Sequence, residues 1–501
     1  MEQKEAKSMK WMILLTVIIG TFLGRLDQTI VNLAIPKIID GFGITVSAAS
    51  WIATAYIIAN AVFVPVWGKL GDTIGRKKIY ILGFSIFILG SVLAALAWNL
   101  GSLLVFRVVQ AIAASADYPT AMAIIAITFR EPKERAQALG IWSSAFASSA
   151  VFGPLIGGPL IDAFGWRSVF MVNLPVGLLG LYMAMRYIKE SVSEKPTFKF
   201  DWWGSAFLGA ALAALVLVLD KGIDWGWTDP RSLIAYAVTI LCSAVFYFIE
   251  KHHDEPVVDF SFFKSRTFNA TILNNLVIFL GMMGSVFAIP IFAQTFLGYD
   301  ATQSGLLFIP MGLCIPLSAA LLGRFLLAKV SARTVVFWST AGAAMAFYFL
   351  SWIDVRSTSF DLMWPLALMA LFMGAGMAQR TALIAQSVPA SEIGVASSIL
   401  ALVRNVGGAF GIAIFATLIK SFTEKNVINL AHNSTFHFTD PTQYKMAIAL
   451  IELKAQILSY SQVYIIAAIV VFIGALAILI MKKGKGAETQ MSHEDAAMAE
   501  A

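Results

Sequence analysis

Five ionisable residues fall inside long apolar stretches of this 501-residue chain: Arg25, Asp27, Arg107, Asp117 and Arg404. A charge near the centre of a membrane helix costs roughly 2.5 to 3.5 kcal/mol, so each is a functional candidate, weighed against a purely structural role in neutralising a neighbour. Acids and guanidinium groups so placed either exchange protons or hold a charged ligand. At 1.5 Å of rise per residue, Asp27 and Arg107 differ in depth by only about 3 Å and are expected to pair. Asp117 lies about 9 Å from Arg25 along the normal, a distance that only an extended arginine spans. A proton carrier must exchange its charged and neutral forms near neutrality, and an adjacent guanidinium opposes this by holding the charged form. The more isolated Asp117 therefore competes with Asp27 as the coupling acid. It is expected to face a central cavity and to bind a proton or a cationic substrate, with Arg25 neutralising a local acid. Tyr56, Tyr118, Asn32, Asn274, Asn275, Gln294 and Asn405 are candidate cavity walls, because aromatic faces suit cations. A Tyr or Asn on a membrane helix serves equally often as an interhelical hydrogen-bond partner.

The elements that must hold these residues follow from composition. Hydrophobic residues make up 58% of the chain and charged residues 13%, with a mean hydropathy of +0.77, too little polar surface to cover a soluble fold. The apolar residues come in stretches of roughly 20, each able to cross about 30 Å of hydrocarbon as a helix. Fourteen spans are expected: 11–35, 49–69, 79–97, 101–128, 136–160, 168–188, 203–219, 232–249, 269–292, 303–327, 334–352, 362–383, 395–419 and 461–481. Of the 36 Lys and Arg residues, 24 fall on the side of the N-terminus, Arg380 among them, nine on the opposite side and three within spans. That bias places both termini in the cytoplasm. The lysine-bearing start reads as a retained first helix with no cleavage site.

The helical turn at Pro132, Glu134, Arg135, Ala136, Ala138 and Gly140 is echoed by Pro389, Glu392, Gly394, Ala396 and Ser398. Each precedes a glycine-dense helix, with Gly153, Gly157 and Gly158 in one and Gly407, Gly408 and Gly411 in the other. The expected organisation is therefore an all-α polytopic membrane protein with a six-helix half at 1–190 and a two-helix insert at 191–266. A second six-helix half follows at 267–481, with an outer loop at about 421–460, and then a cytoplasmic tail at 482–501. Within the loop, the amphipathic run Tyr444 to Leu458 is expected to rest on the membrane surface, to meet a partner or to act as a solvated connector.

Several function classes are excluded. Cys242 and Cys314 lie within spans, where they behave as small hydrophobes. No histidine lies in a span, which argues against an embedded metal site. Gly484-Lys485-Gly486 lacks the flanking residues of a phosphate-binding loop. The net charge of +6 is explained by membrane sidedness and needs no nucleic acid. The loops are too short for a catalytic domain, so an enzyme is not expected.

Three motifs carry more specific information. Gly68-Lys69-Leu70-Gly71-Asp72-Thr73-Ile74-Gly75-Arg76-Lys77-Lys78 sets an acid between glycine turns in a basic loop, which membrane sidedness alone does not require. Arg107-Val108-Val109-Gln110 opens span four. In span five, Gly153-Pro154-Leu155-Ile156-Gly157-Gly158 aligns Ser149, Gly153 and Gly157 on one helical face, allowing close approach of a neighbour, while Pro154 bends the segment.

These motifs resemble the loop signature, arginine motif and antiporter motif of the major facilitator superfamily, although Ala111 stands where a glycine is usual. Leu26-Asp27-Gln28-Thr29-Ile30-Val31-Asn32-Leu33-Ala34-Ile35-Pro36 resembles its fourteen-helix drug:proton antiporter group. So does Gly165-Trp166-Arg167 with Phe170, Asn173, Pro175 and Gly177. The resemblance covers nearly the whole chain and implies a major facilitator fold in the inner or plasma membrane. It further implies proton-driven export of lipophilic, often cationic compounds by alternating access, with the proton gradient as energy source and no cofactor. It favours Asp27 as the coupling acid, whereas Asp117 and Arg25 depart from its pattern. It also implies a conformational latch at Gly68, Asp72, Gly75 and Arg76, for which the start of span thirteen near Ser391 is a target. The partners expected are small lipophilic substrates, protons, membrane lipids and an envelope adaptor protein. The alternatives are a dedicated exporter of one metabolite, antibiotic or signal, a nutrient importer, and a non-transporting scaffold or adaptor-docking subunit.

Overall fold

A computed structural model describes residues 2–129, 131–191, 201–253, 258, 260–315, 317–318, 330–388, 393–433 and 441–480. Among these the chain is helical, with no strand. A hydrocarbon solvent offers backbone groups no partners, so each span must satisfy its own as a helix. Among the described residues, eleven helical stretches are long and apolar enough to cross a membrane. The other three expected spans coincide with helices of smaller apolar extent: α6 (Pro132–Phe164), the stretch Ala301–Ile315 that starts with α12 (Ala301–Leu306), and α13 (Ala332–Leu350).

The first helices are α1 (Glu2–Phe42), α2 (Val46–Ile74), α3 (Arg76–Ala95), α4 (Leu100–Ala114), α5 (Asp117–Thr128), α7 (Ser168–Met171) and α8 (Asn173–Tyr187). In this bundle α1 packs on α6 and α8, and α3 on α4 and α8. A second bundle joins α11 (Arg266–Phe296), α13, α14 (Ser359–Gln386), α15 (Ile393–His432) and α16 (Pro441–Ala477). Between them in sequence, α9 (Trp202–Trp225) and α10 (Pro230–His252) form a hairpin, and α9 lies against both α2 and α15. It is tied to α15 by the Thr417 hydroxyl, which donates to the Leu219 carbonyl at 2.9 Å.

The glycine-dense helices occupy matching places in the two bundles. A Cβ at Gly153 would strike Thr29 of α1, and one at Gly157 would strike Ile30; a Cβ at Gly407 would meet the Leu276 carbonyl of α11, and one at Gly411 that of Leu280. Each glycine face thus lets a helix seat on the first helix of its own bundle. At Gly75 the backbone turns with φ of 122°, and the Glu190 carboxylate fills the space that a side chain would take. From there it accepts the Lys77 and Lys78 amides at 3.1 and 3.2 Å, capping α3.

The expected continuous fourth span is broken at Ser115–Ala116, between α4 and α5. Pro119 explains the break, since its ring opposes the Ser115 carbonyl and offers it no amide. The amphipathic run Tyr444 to Leu458 is not a separate element, because α16 continues through it without a break from Pro441 to Ala477. At 1.5 Å per residue, 37 residues span roughly 55 Å, well beyond one bilayer core. The run lies beside the end of α15, where Asn426 donates to the Ala455 carbonyl at 3.3 Å and, just past the run, to Ser459 at 3.3 Å and Gln462 at 3.1 Å.

Candidate functional site

Asp27 sits at the heart of the N-terminal bundle with no solvent exposure. Arg107 of α4 donates to it at 2.5 Å, which is the pairing that helix depth predicts. Gln110, one turn further on, donates to the other carboxylate oxygen at 2.9 Å, and Asn173 of α8 donates to the same oxygen at 2.8 Å. Ser91 of α3 receives both amides, at 2.7 and 3.2 Å, closing a network over four helices. The guanidinium carbon lies 4.1 Å from the Tyr56 ring centroid and 5.6 Å from that of Phe170. Tyr56 thus belongs to this charged core, buried with the arginine. Gln110 and Asn173 stand in the arginine motif and in the stretch entering span six, but neither motif says that they meet on Asp27, and Ser91 carries no signal that separates it from ordinary helix-packing polar residues.

Asp117 is held differently. One carboxylate oxygen accepts the Thr21 hydroxyl at 2.7 Å, and Thr21 in turn accepts the Trp142 indole N–H at 2.9 Å. The other oxygen is buried with no hydrogen-bond partner. It faces a cavity of about 20 Å³ lined by Gly20, Gly24, Tyr80, Gly83, Phe84 and Ala113, among others. Those residues belong to α1, α3 and α4. The cavity is therefore internal to the N-terminal bundle, which corrects the expectation that Asp117 faces a cavity between the halves. The helix break before Pro119 turns the acid inward. Gly20 makes the arrangement possible, because a Cβ there would collide with Tyr80 and Phe84. Tyr118, the next residue, is 37% exposed and lies 5.3 Å from the Trp142 ring. Arg25 donates to Gln28 on its own helix at 2.8 Å.

The C-terminal bundle has a polar core with the opposite charge balance. Arg380 is 1% exposed within α14, which corrects its count among the basic residues on the side of the N-terminus. It donates to Asn274 at 2.9 Å and to the Thr340 and Ser339 hydroxyls at 3.2 and 3.4 Å. Asn274 also donates to the Gly474 carbonyl at 2.9 Å, so it is a bundle-core residue and no cavity wall. Asn275 accepts from Arg404 at 3.4 Å. Asn405 is half-buried on α15.

The two bundles meet tightly at the end where α1 finishes. Ile30, Leu33, Ala34 and Ile52 share one buried cluster with Phe287, Ile291, Ile412 and Ala416. Gln294 of α11 donates to the Leu33 carbonyl at 3.2 Å. Asp162, which the sequence did not single out, accepts the Ala301 and Thr302 amides at 3.1 and 2.9 Å and the Thr302 hydroxyl at 2.5 Å. Gly158 lies beneath this clasp, where a Cβ would strike the backbone of Ala301 and Thr302. The glycines expected to admit a neighbouring helix thus admit two, α1 and α12. The side chains of Pro154 and Asp72 and the segment around Ser391, which includes Pro389 and Glu392, lie outside the described residues.

A family model described as Major Facilitator Superfamily matches residues 17–412. The chain is 29% identical over 412 residues to the multidrug resistance protein Stp of Mycobacterium tuberculosis, a match that covers 82% of this chain and 76% of that one. It is 30% identical over 420 residues to the multidrug transporter protein MdtP of Bacillus subtilis, covering 83% and 77%. To the multidrug export protein EmrB of Escherichia coli it is 26% identical over 422 residues, covering 83% and 82%. Among solved structures, a POT family transporter in complex with a thioalcohol conjugated peptide superposes with a TM-score of 0.67 at 15% identity. It covers 93% of this chain and 95% of the other, and shares the fold. An inward-facing, occupied bacterial homologue of the human lysosomal transporter Spinster does so with a TM-score of 0.66 at 17% identity, covering 93% and 95%.

Proposed function

The chain belongs to the major facilitator superfamily, and from that premise we propose that it exports lipophilic, often cationic compounds in exchange for protons by alternating access. It is a multi-pass protein of the cell membrane and a transporter, not an enzyme. Both termini face the cytoplasm, the proton gradient supplies the energy, and no bound cofactor takes part. The single observation that carries the coupling reading is the buried oxygen of Asp117, without a protein partner, beside a small cavity. A proton placed on that oxygen would lift the cost of an incompletely solvated charge, which the Thr21 hydrogen bond alone does not offset. Asp27 lacks that opening, since both of its oxygens already accept hydrogen bonds from Arg107, Gln110 and Asn173. It holds α1, α4 and α8 together while the proton moves elsewhere. The expected glycine loop is instead the last turns of α2, from Gly68 to Ile74, and the turn at Gly75; with Arg76 this segment latches the halves on the cytoplasmic side, and the glycines of α6 with Asp162 close the outer side.

The test is transport by purified protein in liposomes. An inward-acid gradient should drive uptake of tetraphenylphosphonium into vesicles carrying the protein inside-out, and collapse of the gradient should stop it. Uptake that ignores the gradient would remove the proton from the proposal.

One observation supports a further partner. The projecting part of α15 and α16 leaves Ile428 68%, Met446 64% and Leu450 65% exposed, which suits docking of an envelope adaptor protein. Co-purification with such an adaptor should be lost when these three residues are changed to serine.

A further inference from the structure

A second cavity, of about 40 Å³, lies on the seam between the bundles. Thr29, Asn32 and Leu33 of α1 form one wall, at spacings that share a helical face. Opposite stand Met282, Met283, Val286 and Pro290 of α11, with Phe308 and Met311 beyond α12. Asn32 is 5% exposed, and its side-chain oxygen has no hydrogen-bond partner. Its amide nitrogen is turned the other way, donating to the Gln28 carbonyl at 3.4 Å, so the oxygen is the atom left over. Leaving such an acceptor buried and unmet costs free energy that a ligand donor would recover. Pro290 adds a second acceptor, because a proline offers no amide to the carbonyl four residues earlier, that of Val286.

We propose that this cavity is an end-group subsite of the transport pathway that selects substrates bearing an N–H or O–H donor on an apolar frame. The proposal rests on the exporter reading above and names the chemistry of what is exported. The volume admits one end-group, not a whole drug-sized molecule. Asn32 contributes an unmet acceptor, so an end-group that carries a donor gains a hydrogen bond there that a purely apolar end-group does not. The methionines supply soft, adaptable walls that tolerate varied apolar frames. Because α1 forms one wall and α11 the other, parting of the bundles at the outer end dismantles the subsite and releases the end-group. Affinity and opening are thereby coupled without a separate trigger.

Binding of two permanent cations to the purified full-length protein tests this. Ethidium carries aromatic amino N–H groups, and tetraphenylphosphonium carries no donor. In Asn32→Leu, ethidium affinity should fall about tenfold while that for tetraphenylphosphonium stays within about twofold. Asn32→Ser, which withdraws the acceptor with less bulk, should show the same selectivity and serves if the leucine variant does not fold. Equal losses for both probes, or none for ethidium in a wild type that binds both, would overturn the subsite while leaving the exporter reading in place. A wild type that binds neither probe would overturn both.

Discussion

Asp27 and Asp117 occupy the same bundle yet are treated in opposite ways. Around Asp27, three donors from α4 and α8 meet the two oxygens, and Ser91 joins the amides to each other. Around Asp117, one threonine reaches one oxygen, and the other oxygen looks into a small cavity. A carboxylate with complete partners stiffens what surrounds it. A carboxylate with an unmet oxygen has somewhere to put a proton. The C-terminal bundle sharpens the contrast: its buried arginine is solvated by an amide, hydroxyls and a carbonyl. Among the described residues, buried acids within the two bundles are confined to the N-terminal one.

The comparison can be broken at either acid. The largest effect is expected at Arg107. Arg107→Leu strands a buried carboxylate and should cost about 3–5 kcal/mol, whereas the double variant Asp27→Leu/Arg107→Leu should recover much of it. Thermal unfolding in detergent reads both, and a double variant no more stable than the single one would refute the pairing as the reason. Next comes the clasp above the seam. Gly158→Ala forces a methyl against the α12 backbone and should cost about 1–3 kcal/mol. The loss should be confined to the closed form, so a cysteine introduced at Thr302 should label faster from outside in this variant. An unchanged labelling rate would show that the clasp does not govern opening. The smallest effect is expected at Thr21→Val, which removes the one hydrogen bond to Asp117 and should cost about 0.5–1.5 kcal/mol. Gradient-driven transport should weaken with it, because Asp117 loses the side chain that holds it in place. Transport unchanged in this variant would assign the Thr21 contact no part in coupling.

Much of this architecture is legible in the sequence because the bilayer imposes it. The length of apolar stretches gives the spans, and helix depth brings Asp27 to the level of Arg107. The Gly153 and Gly157 spacing likewise announces a close helix contact. Depth does not give rotation about the helix axis, however. The motifs mark Gln110 and Asn173, but that both turn onto Asp27 with Ser91 between them is not legible, nor is it that Asn274 faces Arg380 instead of a cavity. The inward turn of Asp117 depends on how Pro119 breaks one helix, and a proline in sequence marks the place of a break but not its direction. Asp162 reads as an ordinary acid at a helix end until the start of α12, more than a hundred residues later, is placed on it.

The most direct test of the central claim is proton release on adding tetraphenylphosphonium to unbuffered purified protein, comparing wild type, Asp27→Asn and Asp117→Asn. Wild type should release protons, Asp117→Asn should release none while still binding the cation, and folded Asp27→Asn should retain release. Release that survives in Asp117→Asn and vanishes in folded Asp27→Asn would contradict the account and move the proton to the arginine-paired acid.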